Sequence, residues 1–568
     1  MIPSSRFDLR FILLAVFLLP GVGDSLAQTP ATIPAAPHLE KRGNATQLIV
    51  DGKPFLILGG ELHNSSSSSV AYMKPIWPRL AAMHLNTVLA PIAWETIEPE
   101  EGKFDFSVVD GLIHDARQSN LHLVLLWFGS WKNTYSSYVP GWVKRDTDRF
   151  PRVQTSDGRD TERLSPFSVT NRDADARAFA SLMRHVKEMD GEAHTVIMVQ
   201  VENEVGVIPE SRDHSAVATA AFTGAVSSDL TSYLQQHRTQ LFPEFRAAWE
   251  AAGAKTSGSW EEIFGKNPLT DDLFMAWQYA TYINAVTKAG KAEYPLPMYV
   301  NAALIRPNYQ PGQYNSGGPL PHSMDIWRAG CPSIDFLSPD IYFDEFAKWA
   351  QDYARPDNPL FIPEARGSSE GAANAFYAFG QVSAIGFSPF AIDSEAAGPT
   401  ASPADTGTRQ QPIGSPVSSA YAVLTHLSSS ILDKQTTGEI AALVLEGEAQ
   451  RAGRVSLGEY TMTVTRPPSL AGDTSAAAAR ASVLFLQTGP DEYLVAGSGS
   501  ALVTFSAATP GLPIVGIESI DEESFDGNDW VLGRRLNGDE NSQGQILRLN
   551  TEDSSQGRIY RVRLYRYR

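Results

Sequence analysis

The chain has 568 residues, 43% hydrophobic and 10% aromatic, which suits roughly two to four domains with sizeable cores and excludes a disordered chain. Forty-six Lys and Arg against 64 Asp and Glu leave a net charge of −18, a poor match for nucleic-acid backbones or anionic membrane surfaces. The single cysteine, Cys331, excludes an intramolecular disulfide framework and any cysteine-rich metal centre, and reads as a buried thiol.

The first 27 residues read as a secretory signal peptide. Arg6 and Arg10 precede the apolar run Phe11 to Leu19, and Ser25-Leu26-Ala27 suits cleavage after Ala27. That run is too short to span a bilayer, and no later stretch is long and apolar enough. The expectation is a secreted, periplasmic protein with no membrane span. Residues 28–45 read as a linker.

From 46 to 395, short apolar runs alternate with helical patterns. The runs are Phe55–Leu58, Thr87–Ile92, His122–Trp127, Val196–Val201, Met298–Asn301, Ile334–Ser338, Leu360–Pro363 and Ile385–Phe390. Amphipathic stretches such as Asp175–Met189 and Asp271–Glu293 separate them. Eight strands alternating with helices predict an α/β fold, a (β/α)8 TIM barrel, with its largest insertion at about 206–265. The rival open, doubly wound sheet lacks its G-x-G-x-x-G, and no P-loop occurs. Residues 396–436 read as a linker and a helix, Ser418–Leu432. Residues 437–568 read as an all-β sandwich of short strands separated by Gly, Asp and Asn turns. Its last strand, Ile559 to Arg568, sets Tyr560, Val562 and Leu564 against Arg561 and Arg563, the pattern of an edge or half-buried strand.

Two of the runs end in carboxylates. Val196 to Val201 leads into Glu202-Asn203-Glu204, and Leu360 to Pro363 leads into Glu364. In a barrel the C-terminal strand ends line the active site, where low-dielectric walls raise carboxyl pKa values. Two carboxylates from two strand ends can flank a glycosidic bond, one as proton donor and one as nucleophile. In a regular strand Glu202 would share the face of Glu204, one layer deeper, and it is assigned no chemistry. Other chemistries lack their residues. The eleven histidines form no H-E-x-x-H, and the serines at 65–69 lack a G-x-S-x-G elbow, so neither a metal nor a cofactor is expected.

Asn-Glu after the fourth strand with Glu after the seventh resembles the clan A retaining glycoside hydrolases. Val50 to His63, Trp77 to Leu80, Asn86 to Val88, Trp94 to Phe106 and Gln200 to Gly206 together resemble glycoside hydrolase family 35, mainly β-galactosidases, over about 46–395. The resemblance implies Glu204 as acid/base, Glu364 as nucleophile and Asn203 as a partner of the sugar 2-hydroxyl. Tyr342 resembles the tyrosine that orients the nucleophile, with a core tyrosine as the alternative. Glu61 and Trp94, inside two of the motifs, are taken as sugar contacts. The sequence departs from that family after the third strand, where it reads Leu126-Trp-Phe-Gly-Ser-Trp-Lys-Asn133. Trp131, Lys132 and Asn133 follow a strand end and are expected to touch sugar, with core packing as the alternative; Trp142 is expected in the core. The function expected is a retaining exo-β-glycosidase, a β-galactosidase acting on plant-type oligosaccharides such as xyloglucan side chains. A β-glucosidase, an α-L-arabinopyranosidase or a non-catalytic glycan-binding protein are the alternatives.

Overall fold

Parallel pairing builds the larger part of the molecule. The computed structural model describes residues 35–397, 415–447, 449–468, 480–509, 514–525, 530–549 and 558–567. The segment 1–27, expected to be a signal peptide, and most of the boundary segment 396–416 lie outside these. The barrel strands are β1 (Ile57–Glu61), β2 (Thr87–Ala93), β3 (His122–Lys132), β4 (Val196–Asn203), β5 (Met298–Ala303), β6 (Phe336–Ile341), β7 (Phe361–Ile362 and Glu364–Ala365) and β8 (Gly386–Phe387). The first half of β7 pairs with β8 and its second half with β6, so the two ends of the sheet meet and the barrel closes. Pro363 stands between the halves. It has no N–H to give a ladder, which suits the point where a strand changes neighbours.

Inside the barrel, Ile57, Leu89, Leu126, Tyr299, Phe336 and Phe361 pack as one cluster with Leu48 and Val50. The last two belong to a three-stranded antiparallel sheet, His38–Arg42, Ala45–Val50 and Lys53–Phe55. The linker expected at 28–45 is therefore corrected over 38–45. His38-Leu-Glu-Lys-Arg42 carries one apolar residue, and main-chain pairing rather than side-chain pattern makes it a strand. Outside the barrel, helices α1 (Val169–Asp190) and α2 (Pro268–Glu293) pack on each other. The insertion after β4 holds further helices, among them Ser228–Gln236 and Pro243–Ala251.

Two more helices, α3 (Ser369–Gln381) and α4 (Pro416–Thr437), lead to the C-terminal sandwich. Its strands are β9 (Ile440–Leu445), β10 (Ala452–Leu457), β11 (Tyr460–Thr465), β12 (Ala481–Gly489), β13 (Glu492–Ser498), β14 (Ala501–Ala507), β15 (Ile514–Phe525), β16 (Trp530–Leu536), β17 (Leu547–Leu549) and β18 (Ile559–Tyr567). They form a six-stranded sheet in the order β9-β12-β13-β18-β15-β16 and a four-stranded sheet β10-β11-β14-β17, both antiparallel. Alternate residues of β12 serve two cores. Val483 and Phe485 face the sandwich interior, while Leu484 and Leu486 join the core shared with the barrel. Strand β18 is central, not at an edge. It is half-buried, the other alternative its alternation allowed, and the partners of its arginine face come from other strands. Arg561 bridges to Glu523 and Glu492 at 2.7 Å each, and Arg563 to Glu492 at 2.8 Å and Asp521 at 3.0 Å. No helix among the described residues is long and apolar enough to cross a membrane.

The sandwich docks through α3 at a glycine. A Cβ on Gly380 would stand 2.4 Å from Leu484 and 2.6 Å from Ala442. Gly380→Val is therefore expected to lower stability by about 1–3 kcal/mol through overpacking. Thermal melting should show the loss, and an unchanged melting temperature would mean the interface has slack.

Candidate active site

At the C-terminal mouth of the barrel, β4, β6 and β7 bring three carboxylates together. One oxygen from each of Glu204, Asp340 and Glu364 lies within 4.8 Å of the others. Glu204 is 9% exposed, Glu364 4% and Asp340 1%. The strand end that carries Glu204 is strained, since Glu202 and Glu204 both have left-handed backbones, with φ of 64° and 44°. Such residues cost on the order of 1–3 kcal/mol each and persist where the surroundings hold them. Here Asn301 Oδ1 accepts the Glu204 amide at 3.0 Å, and Asn315 Nδ2 donates to the Glu204 carbonyl at 2.9 Å.

Glu364 is held by three donors. Tyr342 gives its hydroxyl to Oε2 at 2.7 Å, while Asn203 and Asn301 donate to Oε1 at 3.3 and 3.4 Å. Asn301 also donates to Asp340 at 2.7 Å. Asp340 stands within hydrogen-bonding reach of Glu204. The spacing of the trio alone would admit a cation; Glu364 accepts from three donors and Asp340 from one, an arrangement suited to handling protons and hydroxyls.

The electrostatics separate the roles. Burial, then the charge on Glu364, pushes Glu204 up to about 7, with Lys132 and the Asp340 contact opposing. Asp340 is driven well above the usual carboxylate range by burial and by both glutamates. Burial works against the charge on Lys132. The carboxylates Glu364, Glu204, Glu61 and Asp340 outweigh it and hold the ammonium above the ordinary lysine value. Glu61, the last residue of β1, is buried and raised well above its usual range by burial and by Glu364.

If protonated Glu204 donates the proton, kcat/KM is expected to hold below about pH 7 and fall above it, where Glu204 loses that proton. Lys132→Met removes an attraction that favours ionised Glu204 and should move this limb to higher pH. A limb that stays in place in this variant would separate it from Glu204.

The cleft opens on two sides. Glu204, Asp340 and Tyr342 line a cavity of about 290 Å3 with Arg306, Tyr309 and Asn315. Lys132 and Asn133 line another of about 410 Å3 with Asn64, Tyr135 and Tyr138. Of the residues expected from the sequence, Glu204, Glu364, Asn203, Tyr342, Glu61 and Lys132 therefore converge, and Asn133 sits at the rim. Two do not. Trp131 is fully buried against Tyr279 and Tyr282, its Nε1 donating to the Leu164 carbonyl at 3.1 Å. Trp94 is fully buried, donates to Glu98 at 2.8 Å and packs edge-on against Trp142. Both are core residues rather than sugar platforms.

The cause at Trp131 is a bulge. Between the pairs Trp127–Val201 and Lys132–Asn203, β3 advances five residues while β4 advances two. Glu202 fills the gap, accepting the Ser130 amide at 3.1 Å and the Trp131 amide at 2.7 Å. With left-handed turns on both sides of Asn203, Glu202 leaves the face of Glu204 and meets Asp175 of α1, so it is not a deeper layer of the site. Asp340 and Asn301 were not singled out in the sequence. Their signal was present, since each is a polar residue near the end of an apolar barrel strand.

Comparison with known proteins places this barrel. The family model described as β-galactosidase, glycoside hydrolase family 42, matches residues 71–355, and a domain of unknown function (DUF5597) matches residues 417–548. The chain belongs to the family of that model, glycoside hydrolase family 42. This corrects the family 35 resemblance: strand-end motifs report barrel geometry, and the match across the barrel decides the family. A β-galactosidase from Xanthomonas manihotis is 29% identical over 180 residues, 30% of this chain and 27% of that protein. β-Galactosidase 11 of Arabidopsis thaliana is 25% identical over 173 residues, 29% of this chain and 19% of that protein. The chain thus spans about a quarter or less of these relatives. Solved structures that the chain matches include the β-galactosidase of Bacillus circulans sp. alkalophilus, with TM-score 0.44 and 14% identity over 69% of this chain and 58% of that one. A family 42 β-galactosidase from G. stearothermophilus has TM-score 0.40 and 15% identity over 59% and 51%.

Proposed function

We propose that the chain is a retaining exo-β-glycosidase, a β-galactosidase that releases terminal galactose from oligosaccharides by double displacement. The observation that carries this reading is the pairing of Glu204, raised to about 7, with Glu364, one oxygen of each within 4.8 Å. Retaining enzymes keep their two carboxyl groups about 5–5.5 Å apart, and inverting enzymes leave room for a water between them. Glu364 attacks the anomeric carbon while Glu204 protonates the departing oxygen. Glu204 then takes a proton from the water that attacks the glycosyl-enzyme, so the acid becomes the base. Tyr342, Asn203 and Asn301 hold the attacking carboxylate in place, and no cofactor takes part. The sandwich beyond residue 437 supplies no reacting group. The Arg6 to Ala27 pattern supports a secreted enzyme acting on glycans outside the cytoplasm.

A panel of nitrophenyl glycosides, with lactose and xyloglucan oligosaccharides, tests the reading. The β-galactoside should be cleaved with the highest kcat/KM. Preference for the β-glucoside or the α-L-arabinopyranoside would replace galactose as the sugar. Binding without turnover on every member would overturn catalysis itself.

A further inference from the structure

Glu61 is the group the mechanism leaves unused. It is 0% exposed, and neither carboxylate oxygen has a hydrogen-bond partner. Leaving such acceptors unpaired inside a protein is costly, so a fold that keeps them is one in which something else supplies the donors. Glu61 ends β1 at the barrel mouth, in the electrostatic reach of Glu364, Lys132 and Glu204. Asn203 Oδ1 is likewise buried and unpartnered while its Nδ2 serves Glu364. Lys132, 7% exposed, gives one hydrogen bond to Asn133 Oδ1 at 2.7 Å.

These groups describe their complement. Three acceptor atoms without donors and one ammonium ask for a ligand rich in O–H groups. A cation would also suit a bare carboxylate, but the Lys132 ammonium already stands among these acids. The two oxygens of an ionised carboxylate can accept from two hydroxyls on neighbouring ring carbons at once, and donors of that kind favour the ionised form against the burial that raises Glu61. A site that hydrogen-bonds a hydroxyl in this way rejects the analogue that lacks it far more strongly than a site that merely fits its shape.

We propose that Glu61 is the specificity-determining residue of the cleft: its two oxygens accept from two adjacent hydroxyls of the sugar ring whose bond is cleaved, and Lys132 donates to one of the same hydroxyls. This rests on the glycosidase reading above and deepens it, because it names the part of the substrate that is read. Glu61 takes no part in bond making or breaking, so its removal acts on recognition rather than on the covalent step.

The test is a double-mutant cycle between protein and sugar. Nitrophenyl β-galactoside and its 3-deoxy, 4-deoxy and 6-deoxy analogues are hydrolysed by the wild type, Glu61→Ala and Glu61→Gln. In the wild type, loss of either of two adjacent hydroxyls should lower kcat/KM by roughly 10²-fold or more, within the range such sites can reach. In Glu61→Ala those same losses should shrink to a few-fold, while loss of the remaining hydroxyl costs what it costs the wild type. Glu61→Gln keeps one acceptor and should restore the penalty at one position; it also carries the test if the alanine variant does not fold. Equal penalties in wild type and variants, with only the pH profile displaced, would overturn the proposal and leave Glu61 an electrostatic neighbour of Glu204. A wild type that cleaves no glycoside would sink the functional reading and this proposal together, whereas equal penalties in an active enzyme sink this one alone.

Discussion

Glu364→Ala should lose activity on every glycoside, good leaving group or poor, by a factor on the order of 10⁴–10⁶, the scale of loss when a covalent catalyst is deprived of its nucleophile. No other carboxylate can stand in. Asp340 is driven well above the usual range and shares its neighbourhood with Glu204, and Glu61 belongs to another strand end. The substitution also orphans the Tyr342 hydroxyl and one contact each from Asn203 and Asn301. It removes the charge that helps raise Glu204, so the carboxyl titration near 7 should move to lower pH in this variant. Added azide can enter the space left by the side chain and attack from the same face. The product should be the α-glycosyl azide. Recovery of a β-glycosyl azide from Glu364→Ala would assign it the other role.

Glu204→Ala should behave differently, and the contrast is diagnostic. General acid help is worth roughly 10²–10⁴-fold, but a leaving group such as dinitrophenolate departs without a proton. Natural glycosides should therefore lose most of their rate, while the first step on dinitrophenyl glycosides stays close to wild type. The second step then lacks its base and the glycosyl-enzyme accumulates. Azide needs no base, so it should speed turnover and leave as the β-glycosyl azide. Pre-steady-state bursts on the activated substrate would show the accumulation. A uniform loss on all leaving groups, with no azide effect, would contradict the acid/base assignment.

Much of this was legible in the sequence because a barrel writes its active site at strand ends. An apolar run that stops at Asn203-Glu204, and another that stops at Pro363-Glu364, announce both the strands and the groups they present. Lys132 was legible for the same reason, whereas Glu61 entered only through the motif that contains it. What the sequence hid depends on local geometry that overrides alternation. The three extra residues in β3 turn Trp131 into the core while Lys132 still enters the cleft, and the left-handed backbone at Glu202 sends it to Asp175 instead of beneath Glu204. Trp94 failed for a simpler reason. An indole after a strand end can stack on sugar or pack on a neighbour, and Glu98 four residues later receives its N–H. Asp340 passed unremarked beside Tyr342, although one of its oxygens stands within 4.8 Å of both reacting carboxylates. Strand β18 shows the same limit in the sandwich: an alternating arginine face says that one side is polar, but not that carboxylates of neighbouring strands cover it.

The central claim is a covalent bond from Glu364 to the sugar, and trapping that bond tests it most directly. A 2-deoxy-2-fluoro-β-galactosyl fluoride slows both steps but carries its own good leaving group, so the intermediate should persist long enough for intact-mass measurement and peptide mapping. The account predicts one added fluorogalactosyl unit per chain, located on Glu364 in the peptide around Leu360 to Arg366, with activity recovering as the adduct turns over. A label on Glu204, or hydrolysis of the same reagent to a product that first appears as the α anomer with no adduct at any time, would contradict it.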